Sequence, residues 1–180
     1  ELASRLRGMF GASRPVVLAA STRDGEEEAI LDALARSPLA GGTLLVIVPR
    51  HPQRFDGVAA MLAARGIACA RRSQDRPVPP DVRVVLGDSM GEMAGYYGAA
   101  DVAFVGGSLV PLGGQNLIEA IAMGTPVLVG PHTFNFADAA EGAVGAGAAL
   151  RVADADAMLV AAAALAGYRP RREEMRSRAE

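Results

Sequence analysis

Lysine and tryptophan are absent from this 180-residue sequence, and cysteine occurs once. All 18 basic side chains are therefore arginine, which with the abundant alanine and glycine matches a GC-rich genome rather than a function. The lone Cys69 excludes an internal disulfide and a cysteine metal cluster, and its apolar neighbours place it on a buried strand. Long hydrophobic runs are missing too. None reaches the roughly 18 residues of a membrane span, and the opening ELASRLRGMF lacks the pattern of a secretory signal. Neither charge is in excess: a net charge of -2 excludes the basic surface that nucleic acid requires. No internal repeat, coiled-coil heptad or low-complexity tract occurs. The length fits one domain, burying about 68–70% of the surface its unfolded chain exposes. Opening on Glu1 and closing in an arginine-rich stretch, the chain is expected to be a piece of something longer.

What is plentiful is glycine, 21 residues in all, and the stretch from Asp101 to Gly130 shows its use. Asp101 to Val105 is a short apolar run of the kind buried in parallel sheets. Gly106, Gly107, Gly113 and Gly114 then bracket Ser108 and Pro111 in a tight, bare turn. A helix is expected from about Gly114–Asn116, carrying Leu117, Ile118, Ile121 and Ala122 inward. Gly124 and Pro126 end it before the strand Val127 to Val129. A glycine loop feeding a helix start suits an anion, because unpaired N–H groups and the helix dipole converge there. Glu119, one turn inside, is placed to accept both hydroxyls of a ribose whose phosphate rests on those N–H groups. Loops of this kind also serve only to pack helix on sheet, and both readings stand at this point.

The remaining chain alternates in the same manner. Strands are expected at 15–20, 43–48, 67–70, 82–86 and 149–152, in addition to the two above. Helices are expected at 26–36, 55–65 (burying Val58, Met61 and Leu62), from Asp88 or Ser89 through Tyr97, at 137–147, and from Asp154 through Leu165. Asp24 and Glu27 have capping-box spacing. About seven strands alternating with helices define a doubly wound parallel α/β sheet of Rossmann-like outline. Such sheets bind ligands outside the carboxyl ends of their strands. Four turns fall at that edge besides the glycine loop. They are Ser21-Thr22-Arg23, Pro49-Arg50-His51-Pro52, Gly87-Asp-Ser-Met-Gly-Glu-Met93 and Pro131-His-Thr-Phe-Asn-Phe136. Small hydroxyls at Ser21 and Thr22 suit a sugar or phosphate. Arg50 suits a phosphate because its planar fork donates two parallel hydrogen bonds. Backbone near Met90 and Gly91 suits a base edge, and Phe134 with Phe136 suits a cover, with His132 and Asn135 as polar neighbours.

Taken together, Gly106-Gly-Ser-Leu-Val-Pro-Leu-Gly-Gly-Gln-Asn-Leu-Ile-Glu-Ala120, Val48-Pro-Arg-His-Pro-Gln-Arg-Phe55, Gly87 to Met93 and Gly130 to Phe136 resemble bacterial 3-deoxy-D-manno-octulosonic acid (Kdo) transferases. The resemblance spans roughly residues 14–165. It implies the C-terminal, donor-binding half of a GT-B glycosyltransferase, with a CMP-Kdo-binding domain at 14–168; the residues themselves give an approach helix at 1–13, with Leu2, Leu6 and Phe10 at helical spacing, and a truncated basic helix at 169–180. Such an enzyme moves Kdo from CMP-Kdo to a lipid A precursor at the cytoplasmic face of the bacterial inner membrane, with inversion. The acceptor domain, membrane anchor and carboxylate base would precede Glu1, so this stretch would bind donor and be inactive alone. The implied donor residues are Ser21, Thr22, Arg50 and His51, then Met90 and Gly91, then Ser108, Gly113, Gly114, Gln115, Asn116 and Glu119. Two departures are visible: Gln115 stands where the family commonly has His, and Arg23 likewise, which leaves a role for Arg23 open. No carboxylate cluster has metal-ligand spacing, so transfer without metal or cofactor is expected. Rival readings are the UDP-sugar half of an epimerase or another GT-B transferase, and a non-catalytic flavodoxin-like module.

Overall fold

The computed structural model describes residues 1–179. Seven strands form one sheet: β1 (Val16–Thr22), β2 (Leu44–Pro49), β3 (Cys69–Arg71), β4 (Val84–Leu86), β5 (Val102–Val105), β6 (Val127–Val129) and β7 (Ala149–Arg151). Their order is β3-β4-β2-β1-β5-β6-β7, and every pairing is parallel. Apolar runs such as Val16–Ala20 and Leu44–Val48 make this possible, because a sheet covered on both faces needs apolar side chains pointing both ways. Each fully buried Val, Leu or Ile contributes roughly 1.5–3 kcal/mol relative to exposure.

Eight helices cover the two faces: α1 (Leu2–Phe10), α2 (Glu26–Arg36), α3 (Phe55–Ala64), α4 (Met93–Ala99), α5 (Ile118–Ala122), α6 (Ala137–Ala146), α7 (Ala155–Ala166) and α8 (Arg169–Ala179). Leu6, Phe10, Tyr96, Tyr97, Ala120 and Ala140 meet Val16, Leu18 and Ala20 on one side. Ile30, Leu31, Val58, Leu62, Met158 and Met175 meet Val17 and Ala19 on the other. The alternation along β1 thus feeds two cores. Both α1, through Leu6 and Phe10, and α8, through Met175, belong to these layers. None of the described helices is long and apolar enough to cross a membrane.

Several local expectations need correction. The helix expected from about Gly114 begins only at Ile118 and has five residues. Gly113 and Gly114 sit at φ +88° and +80°, outside the right-handed helical region, and the Gly114 and Gln115 amides are tied to the carbonyls of Gly107 and Gly106 at 2.9 Å each. The later start turns Ile118 outward, leaving it 55% exposed, and leaves Ala122 exposed as well. Asp24 and Glu27 form no capping box. Gly25, at φ +93°, caps α2, and Glu27 is drawn to Thr22 and Arg54 instead. Neither Asp88 nor Ser89 caps α4, which starts at Met93 because Gly91 at φ +72° interrupts the turn. Met61 is half-buried rather than buried. The Asp154 cap is as expected, its carboxylate accepting the Ala157 N–H at 2.8 Å.

Candidate functional site

The chain leaves β1 toward β2 on one side and returns across β1 to β5 on the other, so the strand order reverses between β1 and β5. A crevice of about 380 Å³ opens at the carboxyl edge beside this reversal. Its walls come from four connections. The β1 end supplies Ser21, the β2 end Pro49 and Arg50, the β4–α4 turn Ser89 to Met93, and the glycine loop with α5 supplies Gln115, Asn116 and Glu119. Phe136 closes one side, and Tyr96 with Tyr97 lie at its margin.

Close packing at the reversal shapes the crevice. Gly106 donates to the Ala20 carbonyl at 2.7 Å, and a Cβ on it would collide with the Ser21 carbonyl oxygen. Ser21 itself takes φ +54° where β1 bulges between Ala20 and Thr22. A serine held in that region costs about 1–3 kcal/mol, and such strain persists where the surroundings over-determine it.

The two arginines of the β2 loop have separate duties. Arg54 is committed, gripping both oxygens of the fully buried Glu27 at 2.8 Å each. The exposed Arg50 is fixed at its backbone, donating to the Thr22 carbonyl at 2.9 Å, while its guanidinium has no partner among the described residues. A cation is therefore available at the crevice without first breaking an ion pair.

The β4–α4 turn rests on a polar foundation. Asp88 is 3% exposed at its side chain and accepts from Ser73 N at 2.8 Å, Ser73 Oγ at 2.6 Å and Arg71 Nε at 2.8 Å. Burial alone would raise its pKa, but the Ser73 bonds and the Arg71 charge outweigh burial and hold it below the usual aspartate range. Glu92 is gripped by Arg72 at 3.1 Å, and the Ser89 and Tyr96 hydroxyls share a bond of 2.6 Å. Burial pushes Tyr96 up to about 12, and it raises Tyr97 as well, with the Glu119 charge adding to the effect. Both phenols thus stay neutral at ordinary pH.

On the opposite wall, Asn116 Oδ1 accepts the Ile118 N–H at 2.9 Å, while the N–H groups of Asn116 and Leu117 donate to no acceptor among the described residues. The Gly113 N–H likewise finds no acceptor among them, whereas Gly114 is tied; of these residues only Asn116 lines the crevice, Leu117 being buried. With α5 only five residues long, attraction for an anion rests on the Asn116 donor more than on a long helix dipole. Asn135 latches the loop, its N–H donating to the Gly113 carbonyl at 3.0 Å and its amide to Leu112 at 2.9 Å.

Of the expected donor residues, Ser21, Arg50, Met90, Gly91, Gln115, Asn116 and Glu119 converge on the crevice. Thr22 does not: it is fully buried and its hydroxyl donates to Glu27 at 2.5 Å. Ser108 is likewise buried, donating to the Val105 carbonyl at 2.6 Å and accepting the Gly130 N–H at 2.9 Å, so it ties β5 to β6. His51, Gly113 and Gly114 lie off the crevice lining. Sequence reasoning missed Glu92, Tyr96 and Glu26, and of the structural pair Glu26 and Glu27 it read only Glu27, as a capping partner of Asp24. The signal for that pair was two adjacent acids opening a helix directly after an apolar strand.

A seven-stranded parallel sheet with this reversal and a crevice at its carboxyl edge has the architecture of one half of a GT-B glycosyltransferase. No family model matches the chain. Its sequence is 54% identical over 167 residues to 3-deoxy-D-manno-octulosonic acid transferase of Bordetella pertussis, covering 90% of this chain and 39% of that protein. It is 47% identical to the enzyme of the same name from Haemophilus influenzae, covering 73% of this chain and 31% of that protein. The crystal structure of the C-terminal CMP-Kdo binding domain of WaaA from Acinetobacter baumannii superposes with a TM-score of 0.90 at 34% identity, covering 99% of this chain and 93% of that one. The fold alone is shared with Anabaena Alr3699/HepE, solved with UDP and glucose, at a TM-score of 0.69 and 17% identity, over 99% of this chain and 46% of that one. The chain belongs to the 3-deoxy-D-manno-octulosonic acid transferase family. It spans about two fifths or less of the length of the curated relatives named here.

Proposed function

We propose that this chain binds CMP-Kdo and presents its sugar for transfer within a longer Kdo transferase. The observation that carries the reading is the crevice itself, where Arg50 with its free guanidinium, Asn116 with its unpaired amide and Glu119 line one sheet edge. The donor has matching parts. Its phosphate takes Arg50 and the Asn116 amide, its ribose hydroxyls take Glu119, and its cytosine meets backbone near Pro49, Met90 and Gly91. As the Kdo–phosphate bond breaks, negative charge grows on the departing CMP, and preorganised donors stabilise it without reorganisation. Gln115 adds a neutral donor at the same wall.

The carboxylate base that would deprotonate the acceptor hydroxyl belongs to the part of the enzyme outside this chain, as does contact with a lipid A precursor at the inner membrane. Arginine and amides supply the charge compensation that a divalent ion supplies elsewhere, so transfer is metal-independent in this reading. Calorimetric titration of the chain with CMP tests it: one site should fill with CMP, while UDP at equal concentration binds more weakly. Absence of CMP binding would remove the donor assignment, and preference for UDP would transfer it to another GT-B class.

A further inference from the structure

The glycine loop that forms one wall of the crevice is held from below by a side chain on another element. Glu26, at the start of α2, is fully buried. One carboxylate oxygen accepts the Gly107 N–H at 2.7 Å and the Arg23 N–H at 2.8 Å, and the other accepts the Leu109 N–H at 3.0 Å. No cation pairs with it among the described residues. Burial raises its pKa and the three amides pull it back. A buried carboxylate without a counter-ion is costly, and an apolar side chain would fill the same space more cheaply if packing were its only role.

The hold is passed on. The Gly107 carbonyl accepts the Gly114 N–H and the Gly106 carbonyl accepts the Gln115 N–H, each at 2.9 Å, so the segment that carries Gln115 and Asn116 hangs from the residues Glu26 fixes. The next acid, Glu27, reaches the other way, to Thr22 and to Arg54 on the Arg50 side of the crevice. We infer that Glu26 is a positioning residue for the donor, setting the glycine loop so that the Asn116 amide meets the donor phosphate. The inference rests on the nucleotide reading above.

Glu26→Gln tests it. Glutamine keeps the size but offers one acceptor oxygen and points an amide NH2 at backbone donors. The variant should stay folded by circular dichroism and lose CMP affinity about tenfold or more, the scale of a lost charge-assisted bond. Its affinity for cytidine, which lacks the phosphate, should change by less than about threefold, since the base-reading β4–α4 turn makes no bond to Glu26. Equal losses for CMP and cytidine, or no loss for CMP, would overturn the inference. If the unmodified chain binds neither, it is the nucleotide reading that fails instead.

Should Glu26→Gln not fold, amide exchange on the unmodified chain decides. If the braced loop is required for binding, CMP at about ten times its dissociation constant slows exchange at Gly107 and Leu109 about tenfold. Unchanged exchange at both amides under that load would leave Glu26 a part of the fold and nothing more.

Discussion

Arg50 and Glu119 divide the crevice between opposite charges, and each makes a separable prediction. Arg50 is exposed and unpaired at its guanidinium, so its removal leaves no buried group unsatisfied. A charge-assisted bond to phosphate contributes about 1.5–3 kcal/mol, so Arg50→Ala should weaken CMP binding roughly 10- to 100-fold with little change in melting temperature. Unchanged affinity by calorimetry would take Arg50 out of the site. Glu119, also exposed, sits in the first turn of α5 and lines the same crevice. Glu119→Ala should cost more affinity for CMP than for a phosphate ligand without ribose. Equal losses would contradict its role as the ribose acceptor. Thr22 and Ser108 teach the opposite lesson, because both look like ligand hydroxyls in sequence. Their partners, Glu27 and the carbonyl of Val105, come from the fold around them, and only packing reveals that these hydroxyls are already spent.

Among the elements, the β4–α4 turn is held by titratable groups, Asp88 with Arg71 and Glu92 with Arg72. Asp88 has a depressed pKa in the folded chain, so its bonds to Ser73 and Arg71 stabilise the fold above the ordinary aspartate value near 3.9 and are lost as pH falls through the folded value. Denaturant melts from pH 7 down to about 3 should therefore show a shallower loss of stability below pH 4 for Asp88→Asn than for the unmodified chain, from a lower starting point. Parallel slopes would mean the Asp88 cluster makes no pH-dependent contribution. This element also marks where legibility ended. About seven strands in a parallel sheet could be read from apolar runs such as Thr43 to Val48, because a strand buried on both faces needs nothing beyond its own residues, whereas their order across the sheet was not read. The start of α5 could not be read, since it is decided by two left-handed glycines and by the bonds of Gly106 and Gly107, which lie in another turn of the loop. The convergence of Ser21, Arg50, Met90 and Asn116 was legible because all follow strand ends of one sheet. The Glu26 and Glu27 braces were not, because each acts between connections far apart in sequence.

At the scale of the whole molecule, ligand and fold are linked through the reversal between β1 and β5. In the proposed complex a nucleotide bridging the β2 loop, the β4–α4 turn and the glycine loop would contact both halves of the sheet and would bind only the folded chain. CMP at about 100 times its dissociation constant should add about 2.7 kcal/mol of stability. For a domain of this size that is a rise of roughly 5–11 °C in Tm, at about 2–4 °C per kcal/mol. The same titration settles how the phosphate charge is met. If Arg50 and the Asn116 amide meet that charge without a metal, a chelator such as EDTA leaves the shift intact. Salt trims it, because the exposed guanidinium is screened over about 8 Å at physiological ionic strength. A shift that vanishes in EDTA and returns with magnesium would place a metal ion between phosphate and protein, and the arginine-and-amide account of the crevice would have to be abandoned.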